Sequence, residues 1–144
     1  MPEILYQSLI PLNPKTKKNN LTIKFKATGK SGFFKKTAYG LKYVGIPFIS
    51  QSDKYKEYES NAGWFLKRPE RPIDCAVNVK CVFYRDSARR CDLTNLLEAI
   101  DDILVKYRIL ADDNFKIIYS HDGSRVFIDK DRPRTEITIE RAET

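Results

Sequence analysis

The chain has 144 residues, 42% of them hydrophobic and 31% charged. That length and balance fit one compact domain over residues 1–144 and exclude collagenous, mucin-like and fully disordered chains. Net charge is +7, and it is unevenly placed: residues 1–45 hold nine lysines and a single acid, Glu3, while the remainder is close to neutral.

A basic third of this kind suits a polyanion such as nucleic acid or an anionic surface, or else is a solvated, solubilising face. Apolar runs such as Ile103–Val105 fall far short of the ~20 residues of a membrane span, so no membrane association is expected. The start, Met1–Ile4, lacks the basic region and apolar core of a secretory signal, and a cytoplasmic protein is expected. Cys75, Cys81 and Cys91 are odd in number and form no C-x-x-C pair, which favours reduced thiols over a disulfide framework or zinc site.

In chain order, Ile4–Pro11 reads as a strand stopped by Pro11 and Pro14. Pro14–Asn20 is a polar basic loop. Leu21–Lys26 alternates apolar and polar residues, the period of a half-buried strand. Ala27–Gly40, with three glycines and clustered lysines, reads as an exposed loop. Within it, Gly29-Lys30-Ser31-Gly32 lacks the spacing of a phosphate-binding P-loop. Leu41–Ile49 reads as a strand broken at Pro47.

Ser50–Lys67 has apolar residues near helical spacing, and Arg68–Pro72 ends it with two prolines. Its aromatic residues Tyr55, Tyr58, Trp64 and Phe65 fit a core or dimer interface better than base stacking. Ile73–Tyr84 is a strand with Val77, Val79, Cys81 and Phe83 on one face. Leu93–Tyr107 is the clearest helix. Leu93, Leu96, Leu97, Ile100, Ile103, Leu104 and Tyr107 make a core-facing stripe, with Asp92 or Thr94 as N-cap. Strands are expected at Phe115–Ser120, Arg125–Ile128 and Arg134–Glu140, and His121 falls in an H-D-G-S turn as a loop histidine. The sum is α+β, with a small mixed sheet of five to seven strands packed on two main helices.

Asn95, Glu98 and Asp102 share one polar face of the strong helix, with Asp92 before it and Asp112-Asp113 after it. Clustered carboxylates repel, and a hard divalent cation, Mg²⁺ or Mn²⁺, relieves that repulsion and can activate water against a phosphodiester. The same residues also fit a helix cap, a solvated face and a turn. Asp92 can meet Asp113 only if the chain beyond the helix returns along it.

The stretch Arg89–Ile118, R-R-C-D-L-T-N-L-L-E-A-I-D-D-I-L-V-K-Y-R-I-L-A-D-D-N-F-K-I-I, resembles the RusA family of Holliday junction resolvases. That family carries basic residues, then D-x-D-N-x-x-K opening a helix with a further Asp along it, then a D-D pair and a strand. Pro14–Asn20, Ser52–Glu59 and Thr135–Ile139 are more loosely similar to its N-terminal loop, first helix and last strand. The resemblance implies a RusA-like single domain and a homodimeric, Mg²⁺-dependent endonuclease of phage or prophage type. Its substrate would be a four-way DNA junction, cut by paired nicks that leave 5′-phosphates.

Carried over position by position, Asp92 and Asp113 match the first and last essential aspartates. Asn95, Asp102 and Asp112 match neighbouring positions of the motif. Two positions depart: Thr94 stands where the family has a second aspartate, and Glu98 stands where it has a lysine. The expected metal ligands are therefore Asp92, Asp113 and Glu98, with Asp112 a further catalytic carboxylate. Lys15, Lys17, Lys18, Asn19, Lys30, Lys35, Lys36, Arg89 and Arg90 are expected to bind DNA. The alternative consistent with Thr94 and Glu98 is a non-catalytic junction-binding protein of the same fold.

Overall fold

The computed structural model describes residues 2–17, 21–26, 33–51 and 53–144. In chain order these form β1 (Ile4–Ile10), β2 (Leu21–Lys26), β3 (Phe33–Thr37), β4 (Gly40–Gln51), α1 (Asp53–Gly63), β5 (Val77–Arg85), α2 (Leu93–Lys106), β6 (Ile118–Ser120), β7 (Arg125–Ile128) and β8 (Arg134–Arg141). Five strands form a mixed sheet in the order β1-β8-β5-β6, with β7 also paired to β5. The β1–β8 and β8–β5 ladders are antiparallel, and β6 and β7 run parallel to β5. The α+β class expected from periodicity is the class observed.

The core lies where α1 and α2 meet one face of this sheet. Val77, Val79, Cys81 and Phe83 of β5, and Ile137 and Ile139 of β8, are buried with Ile10. Alternation at period two sends the intervening residues to the other face. From α2, Leu96, Leu97, Ile100, Ile103 and Leu104 are buried, as the leucine stripe requires. The helix ends one residue earlier than its apolar pattern, because Tyr107 leaves helical geometry as the C-cap. Arg108 then takes a left-handed φ of 59°, the conformation that commonly terminates helices.

Several boundaries differ from expectation. A second sheet, β2-β4-β3, is antiparallel throughout. The glycine- and lysine-rich segment read as loop contains β3, which forms a tight hairpin with β4 through Thr37↔Gly40. Backbone pairing there needs no apolar alternation, and Gly40 supplies the turn with a φ of +117°. β4 runs unbroken through Pro47. Among the described residues β3 pairs no further than Gly45, and at Pro47 the single partner is Phe25 of β2. A residue without an N–H is tolerated where a strand has one neighbour.

α1 stops at Gly63 rather than Lys67. A Cβ there would stand 2.4 Å from the Tyr107 ring, so a glycine lets α1 end against α2. Tyr55 and Tyr58 are core residues as expected, but Trp64 and Phe65, just past the helix, are 86% and 45% exposed. β5 begins at Val77 instead of Ile73, which keeps only an isolated bridge to Leu110. β6 is shortened to three residues because Asn114 folds the chain before it into a turn. Its carbonyl accepts from Ile117 and Ile118, and its side chain from the Lys116 N–H. All three cysteines carry free thiols.

Candidate active site

The helix α2 supplies the floor of the site. Thr94, Glu98 and Asp101 stand at i, i+4 and i+7 and so share one face. The chain beyond α2 turns back, and Asp113 and His121 close over that face. Thr94, Leu97, Glu98, Asp101, Asp113 and His121 line one cavity of about 260 Å³. The return path required for the acidic pair to meet the helix is therefore present for Asp113.

Within the cavity, His121 Nε2 lies 3.0 and 2.9 Å from the two carboxylate oxygens of Asp101. Burial pushes the Asp101 carboxyl above its ordinary range. The His121 bond works against that shift, and Asp102 and Glu98 add to it. The Asp113 carboxyl is also pushed up, first by desolvation, then by its hydrogen bond with Asp112 and the nearby charge of Asp102. Two acids on facing segments are thus pushed up chiefly by desolvation, with neighbouring negative charge adding to it.

Asp112 behaves oppositely. Its Oδ2 accepts from Asn114 at 2.9 Å and its Oδ1 from the Asp113 N–H at 2.7 Å, and these bonds hold its carboxyl below the usual range. Its charge is engaged in shaping the turn that carries Asp113. Asp92 takes the N-cap position of α2 with an extended backbone, but its side chain makes no capping bond. Instead Asp92 Oδ2 accepts from Asn95 Nδ2 at 3.4 Å. Neither Asp92 nor Asn95 lines the cavity. Glu98 and Asp113 thus share this cavity, and Asp92 stands at the start of the helix.

Asp102 lies one residue from Asp101 and forms an ion pair with Lys17. The loop that delivers Lys17 is pinned by buried Pro14 and Thr16. Lys17, expected on DNA, is thus turned toward the acidic helix face. Lys15 is a second lysine expected on DNA. With Arg85, Arg89 and Arg90 it lines a groove of about 540 Å³. The groove's two walls are tied by the Asp86 N–H donating to Asn13 Oδ1 at 3.0 Å, and one wall is braced by Arg85 donating to the Arg89 carbonyl. Lys36 is exposed on β3, and Lys35 lies on the same strand. Lys18, Asn19 and Lys30 lie outside the described residues.

Sequence reading missed Asp101, His121 and Arg85 as site residues. No local pattern marks the Asp101–His121 pair, which is 20 residues apart. Only the presence of one histidine in the chain pointed toward it.

Mg²⁺ is commonly held by one or two carboxylates, with waters and substrate phosphate filling its shell, rather than by an all-protein cage. Among the described residues no three His, Cys, Asp or Glu side chains are grouped to hold an ion. Glu98 and Asp113 offer hard carboxylate oxygens to one cavity, and the Asp102 charge that helps raise the Asp113 carboxyl is one a cation would offset. The residues present fit Mg²⁺ in that two-carboxylate manner.

Among the described residues no helix is long and apolar enough to cross a membrane. A comparison with curated proteins finds no match. The family model described as Endodeoxyribonuclease RusA matches residues 40–140. That span runs from β4 to β8 and carries α2, the acidic cavity and the arginines of the groove, while the Lys15–Lys17 loop lies before it. The chain belongs to the RusA endodeoxyribonuclease family, and it is a nuclease of that family.

Proposed function

We propose that this protein resolves Holliday junctions in DNA recombination and repair, acting in the cytoplasm as a homodimer that nicks the two strands of a four-way junction. The observation that carries the reading is the meeting of Glu98 and Asp113 in one cavity, on a helix whose N-terminal approach forms the arginine-lined groove. The groove binds backbone phosphates through Lys15, Arg85, Arg89 and Arg90. Glu98 and Asp113 hold Mg²⁺, with Mn²⁺ an adequate substitute. The bound cation supplies Lewis-acid polarisation of the phosphate and a more acidic water.

Glu98 takes up the ligand role that Thr94 has lost, one helical turn away on the same face. Asp112 acts through Asp113 by fixing its turn. A two-fold dimer presents two cavities to the two strands of a symmetric junction.

The test incubates purified protein with a labelled four-way junction or a matched linear duplex, in Mg²⁺, Mn²⁺ or EDTA, beside Asp113→Asn and Asp92→Asn. Paired nicks on the junction alone, dependent on metal and absent in Asp113→Asn, are expected. Equal cutting of linear duplex overturns junction selectivity. Asp92→Asn is expected to keep cutting, and loss of metal-dependent cutting in that variant adds Asp92 to the metal set.

A second reading is a junction-binding protein that no longer cuts. Thr94 and Glu98 favour it, because one family carboxylate is missing and a motif lysine has become an acid. Tight junction binding with no nicking in any metal selects this reading.

A further inference from the structure

We propose that His121, oriented by Asp101, is the proton acceptor for the attacking water in this nuclease site. The inference rests on the nuclease reading and adds a residue that neither the family motif nor the acidic cluster supplies. Nε2 faces both oxygens of a carboxylate at 3.0 and 2.9 Å. With Asp101 ionised, Nε2 must carry the hydrogen and donate it. That fixes the tautomer and leaves Nδ1 as the ring's acceptor. Asp101 is well placed for this task, with its side chain only 14% exposed and rigidly borne on α2.

His121 lines the cavity that Glu98 and Asp113 also line. A phosphodiester held at those two carboxylates through a divalent cation would set its attacking water beside the same lining. The loss of the motif lysine leaves the cavity lining with three acids and one nitrogen-bearing side chain, His121. An orienting acid and an imidazole whose second nitrogen is an acceptor make the base half of a hydrolytic triad, with water in place of the serine.

The step balances without a further reactant. Nδ1 takes a proton from water as the water oxygen bonds to phosphorus. The bond from phosphorus to the 3′-oxygen breaks, its electron pair stays on that oxygen, and solvent protonates it. The products are a 5′-phosphate and a 3′-hydroxyl, and His121 then returns its proton to solvent. The charged groups that line the cavity with His121 are Asp101 and Glu98 from α2 and Asp113 from the segment after it.

His121 is the only histidine in the chain, so ring ¹H–¹⁵N spectra report on it alone. Metal-free protein should show the Nε2–H tautomer, and Asp101→Asn should mix the two tautomers. On the four-way junction in Mg²⁺, His121→Gln should lower kcat by about 10²–10⁴-fold, the range for general base catalysis. Junction affinity should be unchanged. Asp101→Asn should lower kcat less.

His121→Gln cutting at the wild-type rate overturns the proposal. So does an Nδ1–H tautomer in the wild type. If the wild type binds the junction but cuts nothing, the nuclease reading fails and the base role fails with it. Cutting that His121→Gln leaves intact overturns the base role alone.

Discussion

The acidic cavity and the basic groove sit at two stations along α2 and are built in opposite ways. The cavity rests on a helix buried by six residues. Desolvation, helped by neighbouring carboxylates, pushes up both Asp101 and Asp113 there. The groove lies before the helix and is walled by two loops joined through Asn13 and Asp86. A reacting centre needs side chains fixed by a rigid element. A polyanion track needs only positive charge near a shape, because phosphate attraction is long-ranged and screened by salt. Chemistry and affinity should therefore be separable by substitution.

The sharpest break in that comparison is Glu98→Gln. Metal-dependent nicking should fall to background while the junction-binding isotherm stays put. Nicking that survives removes Glu98 from the ligand set and shifts the chemistry toward Asp113 alone. Reversing the groove with Arg89→Glu and Arg90→Glu together should do the converse. Binding should weaken, and the slope of log affinity against log salt should flatten by about two, one for each phosphate left without its arginine. Saturating protein should restore the nicking rate. If the salt slope holds, the groove is not the DNA track.

A smaller effect tests the scaffold shared by both. Tyr107 donates to the Glu59 carbonyl at 2.8 Å and packs against Gly63. Gly63→Ala should force that ring aside and cost about 1–3 kcal/mol in chemical denaturation, the usual range for overpacking. Lys17 joins the loop that feeds the groove to Asp102 on the cavity helix. The pair is about a quarter to a third exposed, so Lys17→Met should cost no more than about 1 kcal/mol, the range for such ion pairs. A larger loss would mean that the loop and α2 act as one unit.

The slightest effect is on pH dependence. A carboxyl raised in the folded state takes up its proton there at a pH where the unfolded chain is still ionised. Folding therefore gains as pH falls through the folded value, and the desolvated charge works against folding above it. Asp113→Asn removes one such group. Its stability relative to wild type should be most favourable at neutral pH, and the difference should shrink on acidification. A difference that is flat with pH means the Asp113 carboxyl is not strained.

Period and punctuation made much of this fold legible. The offsets of the α2 leucines marked the helix and its buried face, and alternation in Leu21–Lys26 and Arg134–Glu140 marked two strands. What failed was local inference at partner-dependent points. Pro47 reads as a strand breaker until β3 is seen to end its pairing before it. Phe33–Thr37 reads as loop until a strand is found beside it. Trp64 and Phe65 carry helical spacing, yet Gly63 stops α1 first.

For the site, residue type and motif spacing singled out Asp113 and Glu98, Lys15, and the Arg89-Arg90 pair. The same signals grouped Asp92 with Asp113 and put Lys17 on DNA; in the fold Asp92 opens α2 and Lys17 pairs with Asp102. Sequence alone determined the inventory: carboxylates along and beyond one helix, lysines gathered in the first third, and the motif that carries the family. Tertiary structure decided which of these meet. Asp113 reaches Glu98, His121 finds Asp101, and Lys17 turns to Asp102 only because the segment after α2 and the loop after β1 are packed back over the helix face. Encounters of that kind depend on the path of the whole chain, which hydrophobic burial selects and no local spacing encodes.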